Sequence, residues 1–390
     1  MVAIDAPGLV DLWVQSVPLR HFQEKGVTMK RNFVTWRTLA LAAVFTASSF
    51  AQAQTWDDSV ADDSDLSGGP SLHTEDVPLD LQADNVQFEA GGEGLNVVVY
   101  RVIKGQAVAL EGLTFSVGSE YGVESDGWTT AVNCSVGSSV HGAAELATDR
   151  FAVTNGSENY KLIFDAQCGG TLSLFFNEDS PGGQALGIWQ IAALAQRKLG
   201  ESVDLSFWRN SISFEFPADA DYYNWGTVHI TRGDHWDVVG HELGHAIYDQ
   251  ANIGAFGGGQ HYIDRCYSGA LALSEGWASY FSSWLSVGLG DADAKFEYMV
   301  PRRAPIRIEN VPEDVCVGPG SEWRVNAFFW DFIDLNDDGE QSAETFARVW
   351  HALLNSNSRD VGAVARKLVG AGFAEATVNT AWQLSFRQNR

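Results

Sequence analysis

Basic residues are scarce in this chain: 25 Lys and Arg stand against 50 Asp and Glu over 390 residues, for a net charge of −25 and an isoelectric point near 4.6. A surface of that sign is repelled by phosphate backbones and anionic lipid, which argues against nucleic-acid and membrane-surface roles. Cysteine is limited to four residues, none in a Cys-x-x-Cys pair, which argues against a cysteine zinc site or a redox dithiol. Beyond the N-terminal region no apolar segment is long enough to span a bilayer. Internal repeats are absent. What the chain does have is 45% hydrophobic and 12% aromatic residues, enough for a sizeable core, so wholesale disorder is excluded. The length suggests two or three domains.

The N-terminal 53 residues have the anatomy of an export signal. Lys30, Arg31 and Arg37 are followed by an apolar stretch from Leu39 to Phe50 and the small-x-small sequence Ala51-Gln52-Ala53; cleavage is expected after Ala53. Met29 sits where such a signal begins, so residues 1–28 read as an over-called start. Removing residues 1–53 takes away five basic and three acidic groups and leaves a charge of −27 over 337 residues. The expected location is secreted or periplasmic, and no membrane insertion is expected. An even cysteine count in an exported chain reads as two disulfides, and the domain division below favours Cys134–Cys168 and Cys266–Cys316.

Residues 54–78, rich in Asp, Ser and Gly, read as an acidic linker. Residues 79–178 alternate polar and apolar positions in short runs, such as Asn96 to Val102 and Thr171 to Phe176, separated by Asn, Asp, Gly and Ser. Period two at that spacing predicts an antiparallel β-sandwich, Ig-like or transthyretin-like. Ser180-Pro-Gly-Gly then marks a boundary, and a helical stripe (Ile188, Ile191, Ala192, Ala195, Leu199) runs to Gly200. Strands are expected at Ser211–Phe216 and Gly226–Thr231, with mostly helix beyond; the fold class is α+β.

The chemistry centres on His241-Glu-Leu-Gly-His245. Two histidines four apart on a helix lie about 40° apart around its axis and can share one metal ion, while Glu242 points about 100° round, where it can act as general base on water. With His241 at zero, Trp236, Val239, Leu243, Ala246 and Ile247 fall between about 140° and 240°, a continuous core face. Asp234 is the expected N-cap and Asp237 adds negative charge to the first turn. A catalytic zinc keeps three protein ligands; Glu275, in Leu273-Ser-Glu-Gly-Trp-Ala-Ser-Tyr-Phe, is the expected third. On its helix the apolar residues again fall opposite, while Ser279, Ser282, Ser283 and Ser286 lie on the ligand side, small enough for close approach to the first helix.

His241-Glu-Leu-Gly-His245 followed by Ser274-Glu-Gly-Trp277 resembles the gluzincin zinc metallopeptidases, the thermolysin-like clan, nearest to the fungalysin-type branch, over residues 185–390. The resemblance implies a zincin-like catalytic domain of two lobes with Gly226 to Thr231 as the edge strand for an extended peptide. It also implies Zn2+ on His241, His245 and Glu275 with Glu242 as base, and a polypeptide substrate. Two departures stand out. Relatives carry an Asp where this chain has Ser279, so another group is expected behind the ligand histidine. No histidine matches the later one that polarises the scissile carbonyl, which leaves Asn326, His351 and Tyr262 as candidates. The activity expected is that of an endopeptidase, since no Gly-x-Met-Glu-Asn sequence is present to grip a free amino terminus. The alternatives are a glycoprotein-directed peptidase and a binding or adhesion protein with a vestigial metal centre.

Asp334, Asn336 and Asp338 have the spacing of a Ca2+ loop, although Thr345 stands at the EF-hand's last ligand position. His73, His141, His229, His235 and His261 lack a ligand partner at useful spacing and are read as structural.

Overall fold

The computed structural model describes residues 72–387, apart from 260, 337, 338, 340, 341 and 343. The expected signal sequence lies outside the described residues, as does most of the acidic linker. No helix among the described residues is long and apolar enough to cross a membrane.

The N-terminal half is made of strands: β1 (Asp80–Leu81), β2 (Asn85–Ala90), β3 (Leu95–Ile103), β4 (Gln106–Ala109), β5 (Ser116–Val117), β6 (Gly122–Ser125), β7 (Thr129–Asn133), β8 (Ser139–Glu145), β9 (Phe151–Thr154), β10 (Lys161–Gln167) and β11 (Gly170–Asn177). One sheet runs β1-β10-β8-β5 and the other β2-β11-β3-β7-β6, with β4 beside β3. Alternation of burial along β3 (Leu95, Val97, Val99) and β11 (Leu172, Leu174, Phe176) turns one face of each strand inward. The disulfide Cys134–Cys168 joins the end of β7 in one sheet to the end of β10 in the other. These sheets are mixed rather than wholly antiparallel: β3 and β11 pair in parallel with Leu95 opposite Gly170, and β1 and β10 are parallel as well.

Helix α1 (Pro181–Ser202) follows, capped by the Ser180 hydroxyl on the Gly183 N–H with proline in its first turn. Next come β12 (Ile212–Glu215), β13 (Tyr222–Asn224) and β14 (Thr227–His229). Their sheet runs β13-β14-β12-β9, so one strand of the N-terminal half pairs with strands next to the helices. The strand expected at the edge, β14, lies inside this sheet; β13 is the outer one.

The remaining elements are α2 (Trp236–Gln250), α3 (Gly269–Ser286), a small pair β15 (Lys295–Phe296) and β16 (Ile306–Arg307), then α4 (Glu322–Trp330), α5 (Phe346–Leu353), α6 (Val361–Gly370) and α7 (Glu375–Phe386). The described residues thus form an α+β fold in which one apolar core runs from Val77 in the strand half to Phe386 in the last helix. Behind α3 that core is aromatic: Trp284 stacks on Phe346 at 3.6 Å and Tyr280 on Phe329 at 5.0 Å.

A candidate metal centre between two helices

Helices α2 and α3 touch through their smallest residues. A Cβ on Gly240 would lie 2.5 Å from Ser282 Oγ, and one on Gly244 only 2.8 Å from the backbone of Ala278. Ser282 Oγ donates to the Asp237 carbonyl across the same contact at 2.9 Å. The helix α2 starts at Trp236 without a side-chain cap: Asp234, expected there, instead forms a two-pronged bond with Arg232 at 2.6 and 3.0 Å. Asp237 anchors the first turn another way. Its carboxylate accepts backbone N–H bonds from Glu297, Tyr298 and Met299 at 2.8, 2.8 and 3.2 Å, fixing the segment after β15 to the start of α2.

The close approach brings three ligand atoms together. His241 Nε2, His245 Nε2 and Glu275 Oε2 form a triangle with sides of 3.1, 3.1 and 3.2 Å, and all three side chains are buried. Four ligands around zinc at about 2.0–2.1 Å would stand about 3.3 Å apart, so the spacing fits a tetrahedral ion closely. The donor set, two imidazoles and a carboxylate, suits a borderline metal ion. A buried His241, His245 and Glu275 group can therefore hold a metal ion.

The surroundings tune these groups. Burial lowers His241 to about 4, with Glu275 opposing and His245 adding to the drop; the resulting neutral imidazole is the form that binds metal. His245 is raised despite burial, because the carboxylates of Glu275 and Glu242 favour its charged form; a bound cation would displace that proton. Burial alone would raise Glu275, yet His245 and His261, with hydrogen bonds from the two ligand histidines, hold it well below the carboxylate range. Glu242 is buried on the same helix, and burial pushes it up to about 8; Glu275 and Asp221 act in the same direction and His245 against them. A cation on the neighbouring ligands would also pull it back down.

Behind His241 stands Ser279, its Oγ 3.2 Å from Nδ1. The place expected to be vacated by the missing Asp is filled by the serine itself, which orients the ring through a hydroxyl. His245 Nδ1 has no hydrogen-bond partner among the described residues. Asp221, which leads into β13, accepts from the Thr231 N–H and hydroxyl at 2.7 and 2.9 Å, so the β13–β14 hairpin is fastened beside the Glu242 carboxyl that it influences.

The candidates for a carbonyl-polarising residue fare differently. Asn326 is buried within α4, His351 is on the exposed side of α5, and the Tyr262 ring lies under the guanidinium groups of Arg265 and Arg302 at 4.8 and 5.4 Å. None bonds to a ligand of the triangle. His261, read as structural, does approach it: its Nε2 lies 3.6 Å from Glu275 Oε2 and 3.5 Å from Glu322 Oε2. Neither His261 nor Glu322 carries a spacing signal, since one sits in a loop and the other opens α4. The other four keep a structural reading. His141 pairs with Asp165 at 3.0 Å, His229 stacks on Tyr222 at 4.1 Å and His235 on Tyr298 at 4.4 Å, while His73 caps a short turn. Of the Ca2+ loop, Asp334 Oδ2 accepts the Asn336 N–H at 3.0 Å, a local turn; Asp338 lies outside the described residues.

The cysteines are paired Cys134–Cys168 and Cys266–Cys316, as expected, and none is free. Compared with models of known protein families and with curated protein sequences, the chain gives no match.

Proposed function

We propose that this chain is an exported zinc metalloendopeptidase with a zincin-like catalytic domain over residues 185–390. The observation that carries the reading is the buried triangle of His241, His245 and Glu275, at sides of 3.1–3.2 Å, with Glu242 one residue from the first ligand and buried beside it. Zn2+ held there supplies Lewis acidity to a peptide carbonyl and makes water a nucleophile near neutral pH. Glu242 takes the proton of the attacking water and passes it to the leaving amine. Ser279 holds the His241 ring in the orientation that presents Nε2. The outward side of β13, next to Asp221, gives an extended polypeptide a strand to pair with.

Metal content measured together with casein cleavage, before and after 1,10-phenanthroline, tests this. About one zinc per chain, with cleavage lost on chelation and restored by zinc, is the expected outcome. A chain that holds no zinc, or cleaves equally well without it, overturns the reading. A second reading, a binding protein with a purely structural metal centre, is favoured by one observation: a third histidine, His261, stands 3.6 Å from one ligand atom, Glu275 Oε2. Glu242→Gln separates the two. The peptidase loses hydrolysis by about 10²-fold or more while zinc stays near one per chain; a structural centre has no hydrolysis to lose.

A further inference from the structure

From Asn210 to Thr231 the chain has no lysine or arginine, while Glu215, Asp219 and Asp221 fall there among Tyr222, Tyr223 and Trp225. That run contains the β13–β14 hairpin, with β13 outermost in its sheet. Tyr222 pairs with His229 and Asn224 with Thr227, so only Trp225 and Gly226 make the turn. Both have positive φ, 45° and 93°, the signature of a type I′ turn, whose first place normally goes to Asn, Asp or Gly. A bulky side chain is strained in that conformation. Trp225 is also 79% exposed, so burial does nothing to offset the strain.

The hairpin holds the backbone beneath this indole still. At its root the Asp221 carboxylate accepts from the Thr231 N–H and hydroxyl. At its tip the Tyr223 hydroxyl donates to Asp249 Oδ2 at 2.6 Å and accepts the Gly226 N–H at 3.0 Å, which ties the turn to the last turn of α2. The two ties set the hairpin's direction. Glu242, on which the Asp221 charge acts, lies about 10 Å along the helix from Asp249, and Asp221 lies about 10 Å along the strand from Asn224. Strand β13 therefore runs beside α2 from the general base toward the helix C-terminus, with a carboxylate at its root, another at its tip and the indole beyond. On the outer face of the sheet His229 stands 3.4 Å from Glu215, and burial pushes it toward its neutral form, so it brings little positive charge to the strip.

We propose that Trp225 is a specificity-determining residue of this site: its exposed indole receives the ammonium or guanidinium group of a lysine or arginine in a polypeptide lying along β13, with Asp221 as the second point of attraction, so that the substrate class is basic polypeptide. The inference rests on the hydrolytic reading above. A cation over the face of an exposed tryptophan is worth about two- to fivefold in affinity. The charge of the whole chain, −25, acts in the same direction, drawing a basic polypeptide in and repelling an acidic one, most strongly at low salt. An extended substrate advances about 3.3 Å per residue, so the side chain that meets Trp225 belongs about four residues from the bond at Glu242. Trp225 touches no reacting atom, and Glu242 keeps the proton-transfer work.

The test uses the full zinc-loaded chain carrying Glu242→Gln to hold turnover off, alone and combined with Trp225→Asn or Asp221→Asn. The probes are short alanine-rich peptides in which a single lysine, norleucine or glutamate is stepped along the chain, and the Kd of each is measured at low and at high salt. The expected result is one stretch of positions where lysine binds about three- to tenfold more tightly than norleucine, and glutamate most weakly. That preference shrinks as the Debye length falls from about 10 Å at 0.1 M salt to about 3 Å at 1 M. Trp225→Asn is expected to weaken the lysine peptide by about two- to fivefold, and norleucine by less, while the thermal midpoint rises by about 1–3 °C because Asn-Gly suits the turn. Asp221→Asn is expected to narrow the preference at low salt only. The proposal is overturned if norleucine binds as tightly as lysine at every position, or if Trp225→Asn weakens both equally, which would make the indole an apolar contact. It is also overturned if Trp225→Asn leaves the preference intact, or if the Glu242→Gln chain binds none of the peptides. Should Asp221→Asn loosen the hairpin, Trp225→Asn decides. Should the chain with Glu242 intact cleave no peptide, the peptidase reading falls alone and the titrations still decide Trp225.

Discussion

The two ligand histidines differ in what stands behind them. His241 has the Ser279 hydroxyl on its Nδ1 at 3.2 Å, whereas His245 Nδ1 has no partner among the described residues. Removal of an orienting partner costs a metal site about 10–100-fold in affinity, and a neutral hydroxyl sits at the weak end of that range. Ser279→Ala is therefore expected to weaken zinc binding by about tenfold while His241, His245 and Glu275 stay in place; competition with a chelator of known affinity measures it, and an unchanged Kd would show that packing alone orients the ring. At this scale the sequence was legible wherever a helical period applied. His241 and His245 could be assigned to one face of their helix, Glu242 about 100° round from them, and Glu275 to the polar face of the next helix, because 100° per residue fixes which side chains share a face. His261 and Glu322 could not, since they meet through a loop closure that no period describes, and Asp234 was misread because Arg232, two residues away, competes for its carboxylate.

Among the elements, the contact of α2 with α3 sets the separation of the ligands. A methyl group at Gly244 would press on the Ala278 backbone at 2.8 Å, which no rotamer change can relieve. Gly244→Ala is expected to cost about 1–3 kcal/mol and to weaken zinc binding with it, because the helices must part; a thermal midpoint and a zinc titration on one preparation check both, and loss of neither would mean that the helices slide without cost. The loop before α3 carries its own pH dependence. Burial would raise Asp264, but Arg302 and Arg303 draw it down to about 2. A carboxyl with a depressed folded value contributes stability that is fully present above the unfolded value near 3.9 and is lost as pH falls toward 2. The thermal midpoint of the parent is expected to fall over that interval, and Asp264→Asn to start lower and lose less. Strand positions were readable from alternation, but neighbours were not. Alternation says which face of β3 or β11 is inward and nothing about direction, so the parallel pairing of strands separated by most of the N-terminal half escaped, as did the placement of β14 inside its sheet.

Across the whole molecule, composition spoke to class and little more: enough apolar and aromatic residues for a core, and an acidic surface. The sequence boundary at Ser180-Pro-Gly-Gly is real as the start of α1, yet β9 crosses it by pairing with β12, and the apolar core continues across it. Long-range pairing of this kind depends on distances in space that a single chain does not display. The two disulfides divide the labour by position, one tying sheet to sheet and the other lying next to the metal centre. The second has a consequence for what its reduction would undo. Helices α2 and α3 bring their three ligands together by packing alone, with no help from sulfur, but His261 and Glu322 stand on segments that Cys266–Cys316 joins. Reduction of that one bond would thus leave the cage standing, because helix packing holds it, and would remove a single covalent tie from the wall beside it, whose backbone hydrogen bonds would then carry the join alone.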